Sequence, residues 1–226
     1  MKVIVFGLSG QVGSILKKNK PHNINLISPK EKSIDMLNNG KLFDFLFEKN
    51  PDVVLNLAAY TDVDGCEYDK DKAYLLNAFL PREISKICSK IGSLLVHLST
   101  DYVYNEKGKK FIKENSITKP KSIYGKSKYL GEEYIVNNCS KYVILRTSWI
   151  YSDVGKNFYL TIKQLLGENK KISVVNDQFG APTLAYDLVD AILNVINLME
   201  NKKYENVTLN DFYGIYNISN QGHISW

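Results

Sequence analysis

Short apolar runs alternate along the chain with longer stretches of helical period. Runs rich in Val, Ile and Leu lie at 2–6 (KVIVF), 25–27, 52–56 (DVVLN), 94–98 (LLVHL), 142–146 (YVILR) and 172–175 (ISVV). Continuous apolar runs of this length suit parallel strands covered on both faces of a sheet. Helix-like spacing fills 11–18, 42–48, 66–91, 127–138, 158–166 and 185–199. Such alternation predicts an α/β fold, a Rossmann-like doubly wound parallel sheet with right-handed crossovers. The expected division is a dinucleotide-binding domain over 1–148 and segments of a small C-terminal substrate lobe over 149–226. The helix and strand of about 157–200 are expected to pack back on the first part. Residues 215–218 read as a further strand, Gly222 as a turn and Ser225 as a helix N-cap, so that a helix is about to begin where the sequence stops. The lobe is therefore expected to be incomplete in this chain.

Composition narrows the function classes. The net charge of +5 comes from scattered lysines, the nearest cluster being KGKKFIK at 107–113 followed by Lys119, Lys121, Lys126 and Lys128. A solvated face explains it, and a weak pull on an anionic substrate is the functional alternative. No nucleic-acid motif is present, and no nucleic-acid partner is expected. No apolar run approaches the roughly 20 residues of a membrane-spanning helix. The N-terminal apolar run is too short and too soon interrupted by glycine for a signal peptide. A cytoplasmic protein without a membrane partner is the expectation. Cys66, Cys88 and Cys139 are odd in number and lack CxxC spacing, so buried thiols are expected rather than disulfides. His22, His97 and His223 form no HxxxH pair, and no metal is expected.

Candidate chemistry begins after the first strand. Gly7-Leu8-Ser9-Gly10-Gln11-Val12-Gly13 links that strand to a helix. A dinucleotide diphosphate needs a tight turn, close backbone approach and a helix N-terminus with free N–H groups. Gly7, Ser9, Gly10, Gln11 and Val12 are the candidate contacts; a purely structural turn is the alternative. The next strand ends Ile27-Ser28-Pro29-Lys30, without the carboxylate that would hold a 2′-hydroxyl. That favours NADPH, with NADH possible. Asp35 is a candidate partner for the adenine amino group or a surface aspartate, and Met36 beside it is a further cofactor candidate.

The third strand ends Asn56-Leu57-Ala58-Ala59-Tyr60-Thr61, where small residues leave room for a cofactor lying across the sheet. The fourth ends Leu98-Ser99-Thr100-Asp101, with adjacent hydroxyls that suit a substrate oxygen or a helix cap. About 20 residues on comes Tyr124-Gly125-Lys126-Ser127-Lys128, a tyrosine and a lysine on one helical face. The same spacing recurs at Tyr68/Lys72 and Tyr159/Lys163, but neither pair follows a hydroxyl-bearing strand end. Context selects Tyr124 and Lys128.

The stretches FGLSGQVG, PDVVLNLAAYTDVD, VHLSTDYVY, SIYGKSKYLGEE, LRTSWIY and VVNDQFGAPT resemble the extended short-chain dehydrogenase/reductase superfamily, and within it the dTDP-4-dehydrorhamnose reductases. RTSWIY together with NDQFGAPT is the narrower signal. The resemblance implies NADP(H)-dependent reduction of the 4-keto group of dTDP-4-dehydro-β-L-rhamnose to dTDP-L-rhamnose in deoxysugar and polysaccharide biosynthesis. It implies Tyr124 as general acid, Lys128 holding the nicotinamide ribose and lowering the tyrosine pKa, and Thr100 positioning the keto oxygen. Asp101 and Trp149 would contact the sugar nucleotide, with a core role as the alternative for Trp149. Ala58, Ala59, Tyr60 and Thr61 would line the cofactor, and Arg146, Asn176, Gln178 and Thr183 would shape the pocket.

The chain departs from the family pattern in three ways. The family is longer at its C-terminus. Some members dimerise through magnesium held by glutamates, whereas the matching positions here are Ile15 and Tyr186, so a monomer or a weak dimer without a bridging metal is expected. Ser122 stands where the family often has Asn. The competing implications are reduction or epimerisation of another nucleotide sugar, and a non-catalytic NADP-binding regulatory subunit like that of methionine adenosyltransferase.

Overall fold

The structure, a computed structural model, describes residues 1–29, 39–104, 111–198 and 212–226. Strand β1 (Lys2–Phe6) turns through the glycine loop into α1 (Gln11–Asn19), followed by β2 (Asn25–Ile27), α2 (Asn39–Lys49) and β3 (Val53–Asn56). Next come α3 (Val63–Tyr68), α4 (Lys70–Tyr74), a π-helical turn at Leu75–Phe79 and α5 (Leu80–Ile91). Strand β4 (Leu94–Thr100) ends in a 3-10 turn at Asp101–Val103, and α6 (Ile123–Asn138) then leads to β5 (Tyr142–Thr147). The remaining elements are β6 (Ile150–Tyr151), α7 (Phe158–Gly167), β7 (Phe179–Gly180), β8 (Thr183–Leu184), α8 (Ala185–Leu198), β9 (Gly214–Asn217) and β10 (Ile224–Ser225).

The central sheet runs β2-β1-β3-β4-β5-β9, with every pairing parallel. Strand alternation sorts its side chains into two cores. Val3 and Val5 of β1 face α1 and α8 with Ile15, Leu188 and Ile192, while Ile4 and Phe6 face α2, α5 and α6 with Leu46, Ile84 and Ile135. The fold is Rossmann-like. Its strand order reverses between β1 and β3, and in such sheets the ligand crevice opens outside the strand ends at that reversal. The glycine loop and residues 57–61 both emerge there.

Four expectations change. Residues 172–175 form no strand. Val174 and Val175 are largely exposed, and the edge of β5 pairs instead with β9, in register from Val143–Gly214 to Arg146–Asn217. A β-branched run without a neighbour to cover it has nothing to hold it extended. Ser225 caps no helix, because it pairs with Phe179 in the antiparallel β10–β7 ladder. The helix expected over 66–91 is broken into pieces whose starts are capped, Asp62 accepting from the Gly65 N–H and Asp69 from the Lys72 N–H. The helix expected from 127 begins at Ile123, because Ser122 accepts from the Gly125 N–H.

Ile15 is fully buried in the core, and Tyr186 donates to Asp153 at 2.9 Å. The three cysteines are buried and unpaired. Among the described residues no helix is long and apolar enough to cross a membrane. Lys30, Asp35, Met36, Met199 and the lysines at 107, 109 and 110 lie outside the described residues.

Helix α6 seats directly on the π-helical turn. A Cβ added at Gly131 would stand 2.2 Å from the Asn77 carbonyl oxygen, so only glycine permits this approach. Gly131→Ala is expected to cost about 1–3 kcal/mol through overpacking. Urea unfolding checks this, and an unchanged midpoint would show that the two backbones have room to part.

Candidate active site

Gly7 begins the site with φ +85, and a Cβ there would meet the Ala58 backbone nitrogen at 2.7 Å. Only glycine satisfies both the left-handed backbone and the closeness to β3. The Gly10 N–H donates back to the Gly7 carbonyl at 3.1 Å, and α1 starts without a side-chain cap or an acidic residue in its first turn. That leaves a positive helix terminus with no carboxylate to repel a phosphate. Gln11 adds a specific donor. Among the described residues its Nε2 is the buried side-chain polar atom without a hydrogen-bond partner. An orphaned donor at a helix start fits a phosphate-bearing group.

The strip from Ala58 to Thr61 continues the crevice. Asn77, buried in the π-helical turn, accepts from the Tyr60 N–H at 2.8 Å and donates to the Tyr60 carbonyl at 3.0 Å. It also donates to Ser127 on α6 at 3.1 Å. One side chain thus fixes the loop after β3 to α6. Sequence reading passed over Asn77; a polar residue inside an apolar helical run was the available signal.

Thr100, Tyr124 and Lys128 come together where α6 crosses the end of β4, all nearly buried. The Thr100 hydroxyl accepts from the Tyr102 N–H, donates to Asp101 at 3.3 Å, and lies beside the Tyr124 phenol. The Tyr102 and Tyr124 rings pack edge to face at 5.5 Å. Burial pushes the Tyr124 phenol well above the ordinary tyrosine range, Asp101, Tyr102 and Cys66 add to it, and the Thr100 hydroxyl opposes it. Burial likewise pushes Asp101 up to about 6. It pulls Lys128 down to about 8, against the attraction of Glu132. The Tyr124 phenol, expected to be lowered, is raised instead because desolvation outweighs any stabilisation by Lys128, whose amine is turned to the Leu98 carbonyl at 2.7 Å and to His97 Nε2 at 3.2 Å.

A second network lies behind the first. Arg146 on β5 grips Glu132 on α6 through Nε and NH2, the latter at 2.6 Å, and Ser99 donates to the same carboxylate. Its NH1 reaches the Tyr104 hydroxyl at 2.6 Å, and Tyr104 donates to Asn217 on β9. Arg146 is thus engaged inside the protein rather than shaping a substrate pocket. Glu132 is its counter-ion and went unnoticed in the sequence, although Tyr124, Lys128 and Glu132 recur every fourth residue.

Trp149 is separate from this cluster. It is half-buried with φ +44, stacks on Trp226 at 3.8 Å, and with Phe158, Ile162, Leu166 and Trp226 lines an apolar cavity of about 730 Å³. Gln178 accepts from the Trp226 indole N–H, Thr183 bonds Thr147, and Asn176 is exposed. Tyr68 and Tyr159, the discarded tyrosines, lie at the surface.

A parallel sheet with a glycine loop at its reversal and a buried Tyr–Lys pair at a hydroxyl-bearing strand end defines an NAD(P)-dependent oxidoreductase of the short-chain dehydrogenase/reductase class. The chain belongs to the RmlD substrate binding domain family, whose model matches residues 1–226. It is 36% identical over 226 residues to the spore coat polysaccharide biosynthesis protein SpsK of Bacillus subtilis, covering 100% of this chain and 75% of that one. It is 36% identical over 230 residues to the dTDP-4-dehydrorhamnose reductase of Salmonella typhimurium, with the same coverage. Among solved structures it resembles the dTDP-4-dehydrorhamnose reductase of Bacillus anthracis in complex with NADP, with TM-score 0.88 and 35% identity over 100% of this chain and 76% of that one. The Clostridium acetobutylicum orthologue gives TM-score 0.89 at 35% identity over the same shares.

Two outcomes follow from the buried charges. Arg146→Met strands a carboxylate in the core and is expected to cost about 3–5 kcal/mol, much of it restored by adding Glu132→Leu; additive losses in a double-mutant cycle would deny the coupling. Lys128 titrates at about 8 when folded and at its ordinary 10.5 when unfolded. The unfolded chain therefore holds more protons between those values, and stability rises with pH across that window. Relative to Lys128→Met, the unaltered protein should gain up to about 3 kcal/mol from pH 8 to 10.5. A pH-independent difference in denaturation free energy would contradict it.

Proposed function

We propose that this chain catalyses NADPH-dependent reduction of the 4-keto group of dTDP-4-dehydro-β-L-rhamnose to dTDP-L-rhamnose, within polysaccharide biosynthesis. The observation that carries the reading is the convergence of Thr100, Tyr124 and Lys128 beside a glycine-loop crevice. Its support includes the printed names of the relatives, one a reductase of this kind and one a spore coat polysaccharide biosynthesis protein, and a similar structure that holds NADP.

Gly7, Ser9, Gly10, Gln11 and Val12 would hold the cofactor diphosphate, and Ala58, Ala59, Tyr60 and Thr61 would line its path; Asp35 and Met36 stay candidates for the adenine end. NADPH held there would be the hydride source for the substrate carbonyl carbon. Tyr124 supplies the proton to the carbonyl oxygen. Its raised pKa keeps the phenol protonated through the neutral range, as an acid requires. Thr100, beside the phenol, orients that oxygen. Lys128, when charged, stabilises the phenolate left behind and holds the ribose hydroxyls. Asp101 and Trp149 hold the sugar nucleotide. On this reading residues 1–148 bind the dinucleotide, with α8 and β9 packed back to complete that domain, the other segments of 149–226 belong to the substrate lobe, and the protein works in the cytoplasm as a monomer or a weak dimer without a bridging metal.

Tyr124→Phe removes the proton donor and is expected to lower kcat at least roughly 100-fold. NADPH binding, followed by nucleotide fluorescence, should be unchanged. Turnover of dTDP-4-dehydro-β-L-rhamnose close to that of the unaltered chain would sink the mechanism.

A further inference from the structure

His97 on β4 and Asn56 on β3 stand opposite one another in register and are fully buried. The Asn56 amide has a defined direction, because its Oδ1 accepts from the Ala58 N–H at 3.2 Å. The atom it presents to His97 Nδ1, at 3.0 Å, is therefore its nitrogen, a donor. A ring nitrogen that accepts carries no proton, so the proton of the neutral imidazole resides on Nε2. Nε2 lies 3.2 Å from the amine of Lys128, which already donates to the Leu98 carbonyl. An N–H can donate to an uncharged amine, which has a lone pair. It has nothing to donate to in an ammonium ion.

The groups around this contact pull in both directions. His97 and Asn56 meet Lys128 from the sheet. Glu132 lies one turn along α6, itself held by Arg146 from β5 and by Ser99 from β4. Tyr124 lies one turn back, beside Thr100 and Asp101. Glu132 favours the ammonium; burial and the His97 N–H favour the amine.

We propose that His97, fixed as its Nε2–H tautomer by Asn56, is a positioning residue that favours the uncharged amine of Lys128 and so sets the pH at which the lysine loses its charge. On the proposed mechanism an uncharged Lys128 no longer stabilises the phenolate, so the alkaline limb of the pH–rate profile follows Lys128. Only the kinetic part of this inference rests on the reductase reading.

Two substitutions act on the tautomer by different chemistry. His97→Gln can turn an amide oxygen to the ammonium. Asn56→Asp takes the proton onto Nδ1 and leaves Nε2 as an acceptor, while the Ala58 N–H keeps its partner. Both should move the alkaline limb of kcat/KM upward by about one pH unit, the worth of a hydrogen bond to a charged group. A packing role alone would lower the rate at every pH and leave the limb in place, which overturns the proposal. Imidazole 15N spectra of the ligand-free protein, assigned against the His97 variant or against His22 and His223 substitutions, test it without substrate. The ring should carry its proton on Nε2 on both sides of the lysine transition, with the Nε2 resonance shifting as Lys128 becomes charged. An Nδ1–H ring throughout overturns the inference whatever the kinetics. Absence of turnover in the unaltered chain counts against the reductase reading, and the spectra then decide this inference by themselves.

Discussion

The ion pair between Arg146 and Glu132, buried and 2.6 Å long, holds the working parts of this protein in alignment. It ties α6 to β5, and Ser99 ties the same carboxylate to β4. Tyr124 and Lys128 lie on the turns of α6 before Glu132, so whatever fixes the carboxylate also fixes the phenol and the amine relative to Thr100. Such a pair gives up a large hydration energy and adds little net stability. What it supplies is a single allowed seating of one helix on two strands. The Gly131 contact with the π-helical turn and the Asn77 clamp on Tyr60 hold that seating from the other side.

The proposed mechanism makes contradictory demands on Lys128. A charge that stabilises a phenolate acts most strongly in a dry site, and a dry site is where an ammonium ion is least stable. The structure meets both demands by placing the amine between an acidic neighbour already engaged by arginine and a histidine with its own proton to give.

The sequence disclosed those features whose cause is local. The glycine loop was readable because a tight turn, a strand before it and a helix after it leave their marks within a dozen residues. Tyr124 and Lys128 were readable through helical spacing and the hydroxyls of the preceding strand end. The partners that tune them were not. His97 looked like one apolar-strand residue among others, and its meaning arises from Asn56, 41 residues away, and Lys128, 31 residues away. Arg146 was assigned to the pocket because nothing in LRTSWIY shows where its counter-ion will be. The run at 172–175 failed for a related reason: strand propensity describes a surface that can be paired, and the sheet edge was taken by a less conspicuous segment.

That segment, β9, lies more than a hundred residues beyond Tyr104, yet Asn217 on it accepts from the Tyr104 hydroxyl and so closes the hydrogen-bond chain that begins at Glu132. A chain growing from its N-terminus thus makes its glycine loop and α6 long before it makes the strand that covers β5. Until then β5 is an open edge, able to pair with any other extended chain. The folding of the site is therefore timed by its most distant contact, and slow or interrupted synthesis between α8 and β9 is the stage at which this protein is most exposed to misassembly.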